Sequence, residues 1–305
     1  MSERSENIVS AFDSLVGLSV GDAFGAQFFA TENRPLLREE TALPAPPWPW
    51  TDDTEMACNL LDVLRRHGQV ERDALAAAFA ERYDPYRGYG PGTVVLLRAL
   101  RDGEPWRSAT TAQFGGRGSM GNGAAMRVAP LGAYYPGDLE RAALEATASA
   151  VVTHAHPEGV AGAVAVAVAA SRAASGDTSG LVDAVLAHTP PGRVHDGVRR
   201  AAGLLDRTRE EAAYELGNGA RVLAQDTVPF CVWVAARHLG DYERAVRDCV
   251  AVGGDIDTTA AITGGIVAAH VGAEGVPRAW RDAREPLPGW LSPATGEPRG
   301  VDRDG

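Results

Sequence analysis

Alanine-rich stretches with a helical spacing of apolar residues dominate this sequence, and they constrain its fold more than any other feature. Alanine is the strongest helix former, and it recurs along residues 142–151, 159–174, 229–238, 243–252 and 259–271. Runs that alternate β-branched or aromatic residues with polar ones are missing. Val164–Val168 alternates valine with alanine, but it lies inside a long alanine-rich stretch and is interpreted as buried helix. The sequence therefore predicts an all-α protein.

Proline and glycine indicate where the loops lie. Residues 34–50 are rich in proline, residues 84–92 and 114–123 are rich in glycine, and residues 189–193 separate the two halves. No linker is long enough to divide the chain, and no repeat of solenoid period is present. We expect a single compact multi-helix domain over residues 1–305, with a tail rich in proline and glycine from about residue 286.

Composition excludes several functional classes. All 29 positive charges are arginine, which excludes a lysine Schiff base and a P-loop lysine. The net charge of −11 disfavours a nucleic-acid partner, because a basic surface supplies most of the affinity for nucleic acid. Three cysteines without motif spacing argue against a disulfide framework or a thiolate zinc site. The charged N-terminus lacks the apolar region of a signal peptide, so we expect a cytoplasmic protein with no membrane partner.

The first motif with chemical potential is Thr51-Asp52-Asp53-Thr54-Glu55, directly before a predicted helix. An N-cap threonine followed by acids in the first turn is explained by helix capping alone. Alternatively, adjacent carboxylates and a hydroxyl are hard oxygen ligands for magnesium, manganese or calcium. This motif by itself favours capping.

The second motif, Gly253-Gly254-Asp255-Ile256-Asp257-Thr258, also precedes a predicted helix. Its two aspartates are two residues apart in a turn, so that both carboxylates can point to the same side, and capping needs only one of them. If the two helix starts converge, four carboxylates come together and repel each other strongly. Two divalent cations would neutralise them, and such a binuclear site could bridge sugar hydroxyls or activate water.

Two further segments have weaker signals. The glycine-rich stretch from Gly115 to Pro130 is either a flexible loop or a backbone cradle for phosphates. His154 and His156 form an H-x-H pair, but no third nitrogen or sulfur ligand lies nearby, so zinc is disfavoured. His154 could instead contact a ligand, whereas His156 is interpreted as a packing or capping residue.

Taken in order, these segments resemble the ADP-ribosylglycohydrolase family, which includes the dinitrogenase-reductase-activating glycohydrolases. The resemblance extends from about residue 8 to residue 272, and the pair of acidic motifs is its most specific part. The matching segments are residues 17–26 (GLSVGDAFGA), 50–54 (WTDDT), 89–93 (YGPGT), 121–130 (GNGAAMRVAP), 153–154 (TH) and 253–258 (GGDIDT).

The resemblance implies an all-α fold with a central binuclear site for two divalent cations, Mg²⁺ or Mn²⁺. The residues that match the family's metal ligands are Thr51, Asp52, Asp53, Asp255, Asp257 and Thr258. Asp52 or Asp53 would also act in catalysis by assisting proton transfer. The residues expected on the substrate side are Asp22, which would orient ligands, the loop residues Gly118, Ser119, Gly121, Asn122 and Gly123, and His154.

The implied function is metal-dependent hydrolysis of an ADP-ribosyl glycosidic bond on a protein or a small molecule. Many family members have a glutamate seven residues after the aspartate that corresponds to Asp22, and members that cleave serine-linked ADP-ribose use it in catalysis. This chain has Phe29 there, with Glu32 as a nearby substitute. We therefore expect an N-linked, arginine-type substrate. The alternative is a catalytically impaired protein that binds ADP-ribose or a nucleotide.

Overall fold

The computed structural model describes residues 3–38 and 42–291, and α-helices account for most of this part of the chain. The helices are α1 (Glu3–Ala26), α2 (Asp52–His67), α3 (Arg72–Arg82), α4 (Pro91–Arg101), α5 (Trp106–Gly116), α6 (Gly123–Met126), α7 (Ala129–Ala133), α8 (Leu139–Ala150), α9 (Pro157–Ala174), α10 (Leu181–His188), α11 (Arg193–Ala202), α12 (Arg209–Leu216), α13 (Ala224–Arg237), α14 (Tyr242–Ala251), α15 (Ile256–Val271) and α16 (Arg278–Ala283). Short 3₁₀ segments lie at Gln27–Phe29, Thr31–Arg38, Ala273–Gly275 and Gly289–Leu291.

No β-strand occurs within the described residues, where extended pairing is confined to two isolated bridges, Trp48 with Arg284 and Gly121 with Leu223. The predicted all-α fold is confirmed. The alternating segment Val164–Val168 is buried in the middle of α9, as interpreted from the sequence. Its side chains join a single hydrophobic core that contains residues from most of the helices.

The central feature of the fold is the close contact between α1 and α15. Small residues on α1 allow it: a Cβ at Gly21 would collide with the backbone carbonyl of Ala260, and one at Gly25 would lie 2.5 Å from the carbonyl oxygen of Ile256. Because the two backbones touch at this point, the start of α15 lies beside the C-terminal half of α1. This contact places Asp22 of α1 near the second acidic motif.

Helix α1 is also the segment that resembles a membrane span by length and composition. The stretch Arg4–Phe29 contains an 18-residue window of mean hydropathy 1.3, and 67% of that window is buried inside the structure. Its polar contacts are internal as well, since Ser14 Oγ donates to the Gly265 carbonyl at 2.8 Å. The apolar character of α1 is therefore accounted for by its position in the core.

The loops lie close to their predicted positions, with some differences at the boundaries. The proline-rich stretch begins inside the 3₁₀ segment Thr31–Arg38, and the loop predicted at 84–92 ends earlier because Pro91 begins α4. The predicted tail is packed in its first part: Leu291 is buried, and the Arg82 guanidinium lies 3.8 Å from the ring centre of Trp290. Residues 292–305 of the tail lie outside the described residues.

Candidate active site

Asp22 connects the first acidic motif to the centre of the protein. Its carboxylate is fully buried and accepts hydrogen bonds from the backbone N–H of Thr51 at 2.9 Å and of Thr54 at 3.2 Å. The hydroxyls of both threonines donate to it as well, at 2.8 Å and 2.5 Å. Burial raises the pKa of Asp22, although these four hydrogen bonds oppose the shift. The side chain thus holds the start of α2 in place.

The first acidic motif caps α2 and also faces inward. Thr51 is the N-cap, and its hydroxyl accepts a hydrogen bond from Asp53 N at 3.4 Å. The side chain of Asp53 is buried, with Oδ2 located 3.0 Å from Thr51 Oγ1. Its other oxygen, Oδ1, is buried and has no hydrogen-bond partner among the described residues. Capping explains Thr51, but it leaves the unpartnered Asp53 oxygen unexplained.

The second acidic motif lies at the start of α15. Asp255 occupies the N-cap position, yet its side chain makes no capping hydrogen bond; instead it accepts one from Asn122 Nδ2 at 2.7 Å. Asp257 Oδ1 accepts from the backbone N–H of Thr258 at 2.8 Å. The Thr258 hydroxyl lies 3.4 Å from Asp53 Oδ2. The two acidic motifs therefore meet, as the sequence predicted.

Five carboxylates therefore converge without a cationic side chain. One carboxylate oxygen of each of Asp22, Asp53 and Asp257 lies within 4.8 Å of the others. Burial raises the pKa of every aspartate in the group, and neighbouring carboxylates raise it further for Asp52, Asp53 and Asp257. The pKa of Asp52 reaches about 8. No arginine or histidine in the described part of the chain forms an ion pair with Asp22, Asp52, Asp53, Asp255 or Asp257.

This donor set fits divalent cations. All its groups are carboxylate or hydroxyl oxygens, which Mg²⁺ and Mn²⁺ prefer. Buried carboxylates of like charge need a counter-charge to remain ionised. The buried, unpartnered oxygen of Asp53 points to the same requirement. These observations support metal binding at the cluster, with the six predicted ligands Thr51, Asp52, Asp53, Asp255, Asp257 and Thr258 in or next to it.

The cluster forms one end of a cavity of about 560 Å³. The predicted residues that line this cavity are Asp52, Asp53, Gly118, Ser119, Gly121, Asn122, Gly123, His154, Asp255, Asp257 and Thr258. Two predicted residues, Thr51 and Asp22, are not among the lining residues. Asp22 lies behind the N-cap of α2, which fits a residue that orients ligands and not one that touches substrate.

The predicted phosphate cradle forms another wall. Gly118 has a φ of +72°, which favours glycine, and a Cβ there would lie 2.7 Å from His156 N. Ser119 Oγ accepts a hydrogen bond from Gly121 N at 3.2 Å, and Asn122 N donates to the Val222 carbonyl at 3.3 Å. The loop is thus fixed against a second loop, residues 217–223, and backbone groups of both border the cavity.

Several lining residues were missed by the sequence analysis. Phe114 and Val222 both line the cavity, are more than half exposed, and have positive φ values of 52° and 55°. Strained backbone of this kind is concentrated at functional sites. Arg117 and Arg221 also line the wall. The only available signal for Arg221 and Val222 was the Gly217-Asn218-Gly219 turn just before them.

Neither residue considered for the family glutamate lies in the cavity wall. Phe29 is half exposed at the end of its 3₁₀ segment, and Glu32 is exposed in the next one. Neither belongs to the residues that line the cavity. The carboxylates that do line it are all aspartates of the two acidic motifs.

Comparison with known proteins agrees with this arrangement. The family model for ADP-ribosylglycohydrolase matches residues 5–297. Human ADP-ribosylhydrolase ARH3 is 32% identical over 89% of this chain and 88% of its own length. An uncharacterised protein of Archaeoglobus fulgidus is 32% identical over 87% of the chain and 88% of its own length. A solved structure described as an ADP-ribosylglycohydrolase-related protein complex superposes with a TM-score of 0.70 at 26% identity, covering 92% of this chain and 94% of the other. The chain belongs to the ADP-ribosylglycohydrolase family.

Proposed function

We propose that this protein hydrolyses the N-glycosidic bond between ADP-ribose and an arginine guanidine, with two divalent cations, Mg²⁺ or Mn²⁺, at the aspartate cluster. Family membership supports the coarser statement, a metal-dependent hydrolase that acts on an ADP-ribosyl linkage. The substrate would be an ADP-ribosylated protein or small molecule. The observation that carries the proposal is the meeting of the two acidic motifs at one end of a cavity walled by a glycine-rich loop.

The arginine linkage is supported by the carboxylates that line the cavity. Asp52, Asp53, Asp255 and Asp257 are the lining acids, and no glutamate accompanies them in the described part of the chain. An alkoxide leaving group, as from serine, needs a proton from an acid when the bond breaks. A guanidinium carries a positive charge before cleavage and leaves as a neutral guanidine, so it has less need of such an acid.

Asp52 is suited to proton transfer. A carboxylate in the cavity wall can exchange a proton with a bound water or leaving group. That of Asp52 lies in the wall, next to Gly88. Asp53, in contrast, is tied to Thr51 and Thr258. The surrounding carboxylates would stabilise positive charge on the ribose in an oxocarbenium-like transition state. Bound divalent cations would supply Lewis-acid polarisation of the ribose hydroxyl and water oxygens.

The glycine-rich wall would bind the diphosphate. Gly118 to Gly123 line the cavity, and backbone amides in such turns bind anions. The amides of Gly118, Gly121 and Asn122 already donate within the described part of the protein, which leaves those of Ser119, Met120 and Gly123 for an anion. Arg117 and Arg221 also line the cavity; Arg117 adds positive charge, whereas Arg221 is paired with Asp226 at 3.2 Å.

The test is release of ADP-ribose from arginine-ADP-ribosylated protein, measured with Mg²⁺, with Mn²⁺ and with EDTA, beside a serine-linked substrate. We expect metal-dependent release from the arginine substrate. The Asp52→Asn/Asp53→Asn double variant should lose this release, whereas Asp73→Asn, which changes a largely exposed carboxylate, should retain it. Release from the serine substrate alone would overturn the linkage.

The second candidate, a protein that binds ADP-ribose without hydrolysis, is favoured by Phe29 in place of the family glutamate. It predicts that ADP-ribose raises the melting temperature while no substrate is cleaved. Turnover by the wild-type protein would exclude this candidate.

A further inference from the structure

Arg127 is a fully buried arginine without a carboxylate partner among the described residues. Its guanidinium instead donates hydrogen bonds to the carbonyls of Gly123 at 3.1 Å and Ser149 at 2.9 Å, and it lies 4.8 Å from the ring centre of Phe79. A buried, unpaired charge is costly. Burial lowers the pKa of Arg127 to about 9, so the group remains charged at neutral pH.

A third acceptor of Arg127 leads to the cavity. Arg127 Nη1 donates to Thr153 Oγ1 at 2.9 Å, and the same oxygen lies 2.8 Å from Nδ1 of His154. Thr153 and His154 are both buried, and His154 lines the cavity. The three side chains therefore form a hydrogen-bonded series from the protein interior to the ligand site.

The direction of the second hydrogen bond follows from the donors and acceptors present. Arg127 can only donate, so Thr153 Oγ1 accepts from it. The hydroxyl proton of Thr153 then needs an acceptor, and His154 Nδ1 is the one available to it among the described residues. If Nδ1 had a proton, it would donate to the second lone pair of Thr153 Oγ1, and the buried hydroxyl proton would lack a partner. Nδ1 is thus the acceptor, and the ring proton is on Nε2.

We propose that Arg127 and Thr153 are positioning residues that hold His154 in the Nε2-protonated tautomer, so that it donates a hydrogen bond to an oxygen of the ligand in the cavity. Nε2 has no hydrogen-bond partner in the described part of the chain. Gly121 and Gly123 lie beside the ring, and their lack of side chains leaves room for a ligand to approach Nε2. A Cβ at Gly121 would lie 3.3 Å from Nε2, and one at Gly123 would lie 3.1 Å from it. The inference rests on the proposed function only for the identity of that ligand as ADP-ribose.

The alternative, a doubly protonated His154, is disfavoured by the same surroundings. Burial lowers the pKa of His154 to about 3, and the charge of Arg127 lowers it in the same direction. His154 is therefore a neutral donor, and it does not supply a second positive charge for the diphosphate. Its hydrogen bond can select a ligand oxygen by the position of that oxygen, without the attraction of a charged imidazolium.

The tautomer can be measured directly in the ligand-free protein by long-range ¹H–¹⁵N correlation spectra of ¹⁵N-labelled histidine. We expect a single Nε2–H form of His154 in the wild type and in Thr153→Ser, which keeps the hydroxyl. Thr153→Val, which has the same shape without the hydroxyl, should show a mixture of tautomers. His156 is an internal control, because its Nδ1 accepts from the backbone N–H of Glu158 at 3.1 Å and is independent of Thr153.

Binding of ADP-ribose by calorimetry gives the second readout. Thr153→Val should bind about tenfold more weakly, the factor expected for one impaired hydrogen bond, and Thr153→Ser should bind like the wild type. An Nδ1–H tautomer in the wild type, or an unchanged single tautomer in Thr153→Val, would overturn the proposal. Because the spectra need neither ligand nor turnover, they remain decisive if the protein proves not to cleave ADP-ribose. Should Thr153→Val fail to fold, the wild-type spectrum alone decides the tautomer.

Discussion

The hydroxyl of Thr258 lies 3.4 Å from Oδ2 of Asp53, although 205 residues separate them along the chain. This contact joins the start of α15 to the start of α2. It arises because α1 packs directly on α15 through glycine while its Asp22 accepts hydrogen bonds from Thr51 and Thr54. One helix therefore positions both acidic motifs, and the predictions below depend on that arrangement.

Neutralising one carboxylate of the cluster should stabilise the metal-free protein. Without metal, Asp53 has to be buried either as a charge or protonated at the expense of folding free energy, because its charged neighbours are carboxylates. Asp53→Asn removes this cost, so we expect the free energy of unfolding in EDTA to rise by about 1–3 kcal/mol. The same variant should lose the rise in melting temperature that Mg²⁺ or Mn²⁺ produces in the wild type. Thermal unfolding with EDTA and with each metal measures both effects.

The control is Asp73→Asn, whose carboxylate is largely exposed and distant in the sequence from both motifs. It should leave the metal-induced shift unchanged. A shift of wild-type size in Asp53→Asn would show that the cluster is not the metal site.

Glu55 positions the loop that covers one side of the cavity. Its Oε2 accepts from Tyr89 Oη at 2.5 Å and from Asp84 N at 3.1 Å, while Gly88 and Gly90 of the same loop line the cavity. Tyr89→Phe removes one of these hydrogen bonds and leaves a buried carboxylate with fewer donors. We expect a loss of about 1–2 kcal/mol in stability and a higher KM for the ADP-ribosylated substrate.

Steady-state kinetics and denaturant unfolding of Tyr89→Phe test this role. Tyr86→Phe is the matched control, since Tyr86 is in the same loop and is 94% exposed. Identical KM values for both variants would show that the Glu55 contact does not shape the cavity.

Val222 has a φ of +55°, a conformation that β-branched residues adopt at a cost. Val222→Gly should therefore raise the free energy of unfolding by about 0.5–1 kcal/mol, after allowing for the greater entropy of glycine in the unfolded chain. It should also weaken binding of ADP-ribose, because the cavity wall loses an apolar side chain.

The matched control is Val95→Gly in α4. Val95 is more than half exposed, like Val222, but it lies inside a helix, where glycine is unfavourable. Denaturant unfolding should show opposite signs for the two variants. A loss of stability in both would mean that Val222 is not strained.

Asp248 should make stability depend on pH. It is buried on α14 and faces Arg209 at 2.8 Å, Arg244 at 3.2 Å and His238 at 3.1 Å. Burial alone would raise its pKa, but these partners outweigh burial and hold the pKa below the ordinary value of 3.8. The group therefore contributes its full stability above pH 3.8 and loses it as the pH falls through the lower pKa of the folded state.

Asp248→Asn is expected to cost about 1–3 kcal/mol near neutrality, a value reduced for the partial exposure of the two arginines. Urea unfolding of the wild type and the variant, at neutral pH and at a pH below 3.8, measures the difference in free energy of unfolding between them. This difference should be smaller below pH 3.8. An equal difference at both pH values would contradict the assignment.

The two acidic motifs could be recognised from the sequence because their signal is local. A threonine and aspartates at a helix start can be recognised within six residues. The resemblance to a known family indicated that the two motifs form one site. The same holds for Gly118 to Gly123 and for His154, which the structure places in one cavity wall. The sequence also showed that Phe29 stands at the position of the family glutamate. Only the structure shows that it is half exposed and lies outside the cavity wall.

The residues that local patterns did not reveal depend on contacts between distant segments. Phe114 begins the glycine-rich loop 114–123 and Val222 follows a glycine turn, but their place in the cavity follows from how the two loops meet. Arg127 belongs to the matched segment 121–130, but no local pattern showed that packing buries it completely and directs it to Thr153.

The sequence by itself determined the helical class, the helix starts and the chemistry of the acidic motifs, because propensity and capping act over a few neighbouring residues. Tertiary structure alone decided how closely the carboxylates approach each other and which hydroxyl orients which group. Asp22 illustrates the difference: its type can be read from the sequence, but its role behind Thr51 exists only because α1 is buried between α2 and α15. Burial removes water as a competing partner, so the final hydrogen bonds are set by the neighbours that packing provides.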